Sequence, residues 1–124
     1  MTDRVIVPTE NQEGINAKLA EHFGRAPYYT VVELDNNGEV VNVTSVSNVS
    51  EHAGGTGYAH DHILGLQPNE LIVYGMGPRG LITFQSAGVT VLKANADTVK
   101  EVIEAYKEGK LQELSEGCEH AHHH

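Results

Sequence analysis

The stretch "YYTVVELDNNGEVVNVTSV", residues 28–46, decides how this chain is folded. Two runs rich in aromatic and β-branched residues flank Asp35-Asn36-Asn37-Gly38, a sequence that favours a tight reversal. Strands over 27–34 and 40–46 therefore form an antiparallel hairpin. Upstream, Arg4-Val5-Ile6-Val7-Pro8 reads as a first strand stopped by Pro8. Ile15, Leu19 and Phe23 recur every four residues, which predicts a short helix over 15–23. Downstream, "SNVSEHAGGTG" (47–57) is a polar, glycine-rich loop, and a helix follows over about 58–67 with Ala59, Ile63 and Leu66 inward and Pro68 beyond its end. Next come a strand over Leu71–Tyr74, the loop "GMGPRG" (75–80), and a helix through Leu81, Ile82 and Phe84. Pro78 suits that helix's first turn, and Gly88 lies near its cap. Val89–Leu92 is the last strand. Val99, Val102, Ile103 and Tyr106 follow i, i+3, i+4, i+7 in a last helix over 96–108, stopped by Gly109.

Residues 1–114 thus read as a single domain, and 115–124, "SEGCEHAHHH", as a flexible Cys/His-rich tail. The expected fold class is α/β, with three layers (α/β/α) around a mixed five-stranded sheet. Right-handed crossovers put the first strand centrally, the hairpin on one side and the two later strands on the other. This topology has a consequence for function. If the first strand runs upward, the segment holding His22, Gly24 and Arg25, the loop 47–57 and the loop 75–80 all emerge at the upper edge. Open α/β sheets bind ligands where their connections diverge in this way. Gly54, Gly55, Gly57, Gly75 and Gly77 permit positive φ and close approach of backbone N–H groups, and helix starts near Gly57 and Gly77 add partial positive charge. With Arg25 and Arg79, two of the chain's three arginines, that edge suits an anion. The plainer alternative is that the glycines only make turns and the arginines only solvate the surface.

The formal net charge of −9 excludes a nucleic-acid partner, because a phosphate backbone selects basic faces. No apolar run approaches the ~20 residues of a membrane span, and Met1-Thr2-Asp3-Arg4 lacks a signal-peptide pattern, so the expected address is the cytoplasm. One cysteine, Cys118, excludes an internal disulfide framework.

"EHFGRAPYYTVVELDNNGEV" (21–40), "EHAGGTG" (51–57) and "GMGPRG" (75–80) together resemble the dinitrogenase iron–molybdenum cofactor biosynthesis family, which includes NifX, NafY and the C-terminal part of NifB. The resemblance runs from about Val5 to Leu111. It implies a ribonuclease H-like fold and binding or carriage of iron–sulfur and iron–molybdenum cluster precursors. A nuclease reading of that fold is opposed by the residues. Two-metal phosphoryl chemistry needs carboxylates converging on ions ~3.5–4 Å apart. Val5-Ile6-Val7 supplies none, and Glu70 lies at the wrong end of its strand.

An anionic cluster wants soft or borderline ligands. His22 and His52 are candidates at the upper edge. His60 and His62 point about 200° apart on a helix and read better as solvated or core-bordering. In the tail, Cys118, His120 and His122, with His123 and His124, make a set that would hold a divalent metal; the terminal histidines also read as a purification tag. Three functions follow. The first is a non-catalytic carrier of a metal cluster using Arg25, Arg79 and loop amides, with His22, His52 and Cys118 as ligands. The second is a metal buffer or chaperone using the tail, and the third a small-anion sensor at the same edge. The partners expected for the first are cluster donor and acceptor proteins, with the chain a monomer or weak homo-oligomer.

Overall fold

The fold is assembled on β1 (Asp3–Thr9), in a computed structural model that describes residues 3–48 and 57–114. Val5, Ile6 and Val7 are completely buried. They pair antiparallel with β2 (Tyr28–Leu34) on one side, and β1 runs parallel to β4 (Glu70–Val73) on the other. With β3 (Val40–Ser47), β5 (Thr90–Lys93) and β6 (Gln112–Glu113) they form one mixed sheet in the order β3-β2-β1-β4-β5-β6. The central first strand and the flanking hairpin are as expected. In the turn, Asp35 Oδ1 accepts the N–H groups of Asn37 and Glu39, both at 2.9 Å, and Gly38 takes φ +81°.

Alternation places odd and even strand residues against different helices. Ile6, Leu71, Val73 and Val91 pack under α1 (Gly57–Gly65) and α2 (Pro78–Ser86), through Ile63, Leu81 and Phe84. Val5, Val7, Val32 and Ile72 pack under α3 (Val99–Lys107), through Val99, Val102 and Ile103. Thr98 caps α3: its Oγ1 accepts the Glu101 N–H at 3.3 Å and donates to Glu101 Oε1 at 2.9 Å. Among the described residues no helix is long and apolar enough to cross a membrane.

Three expectations need correction. The sheet has six strands rather than five. Gln112 and Glu113 pair antiparallel with Lys93 and Leu92, and two exposed residues carry no periodic signal that sequence could show. The first strand also runs past Pro8, which pairs with Tyr29, to Thr9. Finally, no helix forms over 15–23. Short 3₁₀ turns at Gly14–Asn16 and Phe23–Arg25 bracket an extended segment, in which Glu10 N–H donates to Lys18 O and Ala20 N–H to Pro8 O. Ile15, Ala17 and Leu19 pack on the α3 side of the sheet, whereas Ala20, Phe23 and Ala26 pack on the α2 side. The fourfold spacing marks a crossing over the sheet's upper edge, not one face of a helix.

At the lower edge, where β1 and β4 begin, the Tyr106 O–H donates to Asp3 Oδ2, and Glu70 Oε1 is buried without a hydrogen-bond partner. Burial first, and then the Asp3 carboxylate, pushes Glu70 from 4.5 up to about 7. The folded chain therefore keeps a proton that the unfolded chain releases. The linked stability is complete below the unfolded value of 4.5 and is lost as pH rises through about 7. We expect the melting temperature to fall between about pH 5 and about pH 8. Glu70→Gln, neutral throughout, should flatten that decline in thermal melts followed by circular dichroism.

Candidate functional site

Because β1 and β4 are parallel, the chain leaves both of them at the upper edge. The segments that follow, Glu21–Arg25 and Tyr74–Gly77, enclose a hollow of about 670 Å³. One wall is a single tight turn: Arg25 N–H donates to His22 O at 3.1 Å and Ala26 N–H to Phe23 O at 3.4 Å. That turn is fixed from below. The buried Tyr29 donates its O–H to Phe23 O at 3.2 Å, and the Phe23 ring meets Phe84 of α2 edge-on, with centroids 6.1 Å apart. Burial pushes the Tyr29 hydroxyl up to about 12, so it stays a donor at any ordinary pH.

The opposite wall leads into α2. Gly77 is its N-cap and Pro78 its first residue, where a missing N–H costs nothing, and Leu81 N–H donates to Gly77 O at 3.1 Å. The first turn of α2 holds no acid, so the helix presents its positive end undiminished. Positive φ at Gly75 and Gly77 is not found: Gly77 has φ −70°, and neither is among the left-handed glycines. A Cβ added at Gly24, Gly75 or Gly77 would meet nothing within 4 Å. These glycines keep the rim bare, which lets a ligand approach the backbone.

The hollow brings together His22, Arg25, Gly75 and Gly77 as the topology argument required. Arg79 is exposed on the first turn of α2 and does not line it. His52, Gly54, Gly55, Cys118, His120 and His122 lie outside the described residues; Gly57 is the first residue of α1. His62 is half-buried, its ring edge-on to Tyr29 at 5.5 Å, a core-bordering position. Among the described residues no three His, Cys, Asp or Glu side chains are grouped to hold a metal ion.

Four lining residues were not anticipated: Glu21, Phe23, Tyr74 and Met76. Met76 could have been noticed, since it is the one large apolar residue between the paired glycines of "GMGPRG". Glu21 sets a carboxylate in the same wall, its Oε1 4.0 Å from His22 Nε2. Tyr74 donates to Asp97 Oδ1 at 2.8 Å; burial, and then that carboxylate, pushes its hydroxyl up to about 12. Glu21 and Tyr74 also border a second hollow of about 500 Å³, whose other charged residues are Glu10, Lys18 and Asp97. The first hollow thus sets Arg25 against Glu21, while in the second the carboxylates Glu10, Glu21 and Asp97 outnumber Lys18. A lower hollow of about 640 Å³ carries Asp3, Asp35 and Lys107 and lacks a helix N-terminus, which makes it the poorer anion site.

A sequence profile described as dinitrogenase iron–molybdenum cofactor matches residues 3–109. An uncharacterised protein of Methanocaldococcus jannaschii is 35% identical over 102 residues, spanning 80% of this chain and 85% of its own length. A NifB-like Thermotoga protein of the DUF35 family, solved by NMR, is 30% identical with a TM-score of 0.72, over 90% of this chain and 93% of that one. The apo form of the orange protein from Desulfovibrio gigas superposes with a TM-score of 0.76, over 91% of this chain and 93% of that one. At 21% identity it is a likeness of fold alone.

If the Tyr29 hydroxyl holds the His22–Arg25 turn in place, Tyr29→Phe should cost about 0.5–1.5 kcal/mol in chemical denaturation. Amide exchange at residues 23–26 should accelerate more than that global loss explains.

Proposed function

This chain belongs to the dinitrogenase iron–molybdenum cofactor family, and from that premise we propose that it is a non-catalytic carrier of an iron–sulfur or iron–molybdenum-type cluster, or of a precursor. The cargo occupies the upper-edge hollow. The observation that carries this reading is the meeting of Arg25, His22, Met76 and the N-terminal end of α2 around one bare-rimmed cavity. Sulfide-bearing clusters are anionic and bind soft or borderline donors. Arg25 and the helix end offset their charge, with Arg79 adding to the field from the first turn of α2. His22 supplies an imidazole and Met76 a thioether. His52 and the glycines Gly54, Gly55 and Gly57 belong to a third loop in this scheme, and Cys118 to a tail that completes the ligand set.

A carrier has to release what it holds. Few protein ligands and an opposing carboxylate, Glu21, suit that demand. No ordered array of catalytic carboxylates is needed, and the protein's partners are the donor and the acceptor of the cluster. The cytoplasm is where such an exchange takes place.

Anaerobic reconstitution with iron and sulfide tests the reading, run in parallel on the intact chain, on Arg25→Ala, on His22→Ala and on a chain lacking 117–124. Brown protein with charge-transfer absorption is the expected product. Losing one charge-assisted contact of about 1.5–3 kcal/mol should weaken cluster retention by roughly tenfold or more in Arg25→Ala. Full colour in both edge variants, together with loss of metal on tail deletion, would transfer the function to Cys118, His120 and His122.

A further inference from the structure

Met76 is one of two methionines in the chain, and the other is Met1. The buried core is built from valine, isoleucine, leucine, alanine, phenylalanine and tyrosine, with no methionine among the described residues. Methionine is therefore not used here as a filler of interior gaps. Met76 is instead half-buried at the upper edge, packed against the cluster beneath α1 and α2 and also lining the hollow. Its neighbours leave it uncovered. Gly75 and Gly77 flank it and Gly24 lines the same hollow, and a Cβ added at any of the three would meet nothing within 4 Å. The side chain is thus anchored by packing and approached across a rim that its neighbours do not shield.

The surroundings also suit an oxidised sulfur. His22 and Arg25 line the hollow, and Gly77, the N-cap of α2, follows Met76 directly. A thioether is a weak hydrogen-bond acceptor, whereas a sulfoxide is polar and its oxygen accepts well. We propose that Met76 is a peroxide-sensitive modification site, and that its conversion to methionine sulfoxide switches the hollow from holding cargo to refusing it. This rests on the reading of the hollow as the cargo site.

In the step, the thioether sulfur attacks one peroxide oxygen, the S–O bond forms and the O–O bond breaks. The sulfur lone pair supplies the two electrons, and the departing hydroxide takes the proton left on the new oxygen. One sulfoxide and one water result. Two effects on the cargo follow. The soft sulfur donor is lost. The new oxygen is also drawn to Arg25 and to the amides that begin α2, and so occupies the positive groups that otherwise face an anion. Cluster retention should fall roughly tenfold.

Peptide mass spectrometry of the intact, folded chain in dilute hydrogen peroxide tests the modification. Met76 should gain one oxygen at a rate comparable to that of methionine in a short unstructured peptide. Reaction only after denaturant is added would overturn the inference. The switch is read by anaerobic reconstitution with iron and sulfide, after the peroxide is removed and excess dithiothreitol added. That reductant restores a reversibly oxidised Cys118 but leaves methionine sulfoxide, which a methionine sulfoxide reductase reverses. The treated chain should retain roughly tenfold less cluster, and the reductase should restore it. Met76→Leu should lose nothing further on peroxide treatment. An equal peroxide loss in Met76→Leu, or full retention by a chain oxidised at Met76, would overturn the proposal. Should Met76→Leu fold poorly, the reductase rescue of the parent decides. If the untreated chain takes up no iron and sulfide, the carrier reading fails separately. Amide chemical shifts then decide for Met76: those of 22–25 and 75–77 should move on its oxidation, and unmoved shifts would refute the switch.

Discussion

The parallel pairing of β1 with β4, Val5 beside Glu70 and Ile6 beside Leu71, is the constraint on which the rest of the molecule depends. Parallel neighbours finish at the same edge, so the residues that follow each strand are delivered to one place. The antiparallel hairpin then has to take the far side of β1, and its own turn is sent to the opposite end. Burial holds this arrangement in place. Val5, Ile6 and Val7 are sealed by α1 and α2 on one face and α3 on the other, and shifting the register by one residue would turn every one of them toward the wrong helices. A hollow made from two distant stretches of sequence is a by-product of that strand order.

Electrostatics adds a second layer. The molecule is acidic overall, yet around the hollow Arg25 and the positive end of α2 act together over a short range. Glu21 lines the hollow as well, and Asp97 stands close by in a neighbouring depression that shares Glu21 and Tyr74 with it. Attraction is local and the wider field is repulsive. On the proposed reading, a compact anion would suit such a site better than an extended one, since a long polyanion would meet the surrounding carboxylates.

Much of this was legible in the sequence, for identifiable reasons. Asp35 to Gly38 is a turn whose chemistry is local, and α3 carries an unbroken 3.6-residue period, so neither needed tertiary information. The meeting of residues 21–25 with 74–77 followed from connectivity alone. What could not be read was non-local. The two residues of β6 are strand only because β5 needs an outer neighbour, and the segment 15–23 mimics a helix because its apolar residues serve two different faces of the sheet. Met76, Phe23 and Tyr74 escaped attention because loop and strand-end hydrophobics are usually core, and all three do pack against core as well as line the hollow. For Gly75 and Gly77 the location was right and the reason differed: free space beside the backbone, not unusual torsion.

The segment from Ala17 to Ala26 carries one more implication. It is riveted to both layers, with Ala17 and Leu19 in the apolar cluster beneath α3 and Ala20 and Ala26 in the one beneath α2. A strip anchored at both ends cannot swing like a door; it lifts only if one of the two interiors is exposed to water, which is unfavourable and slow. If the hollow holds the proposed cargo, this wall of it would stand fixed while cargo enters and leaves.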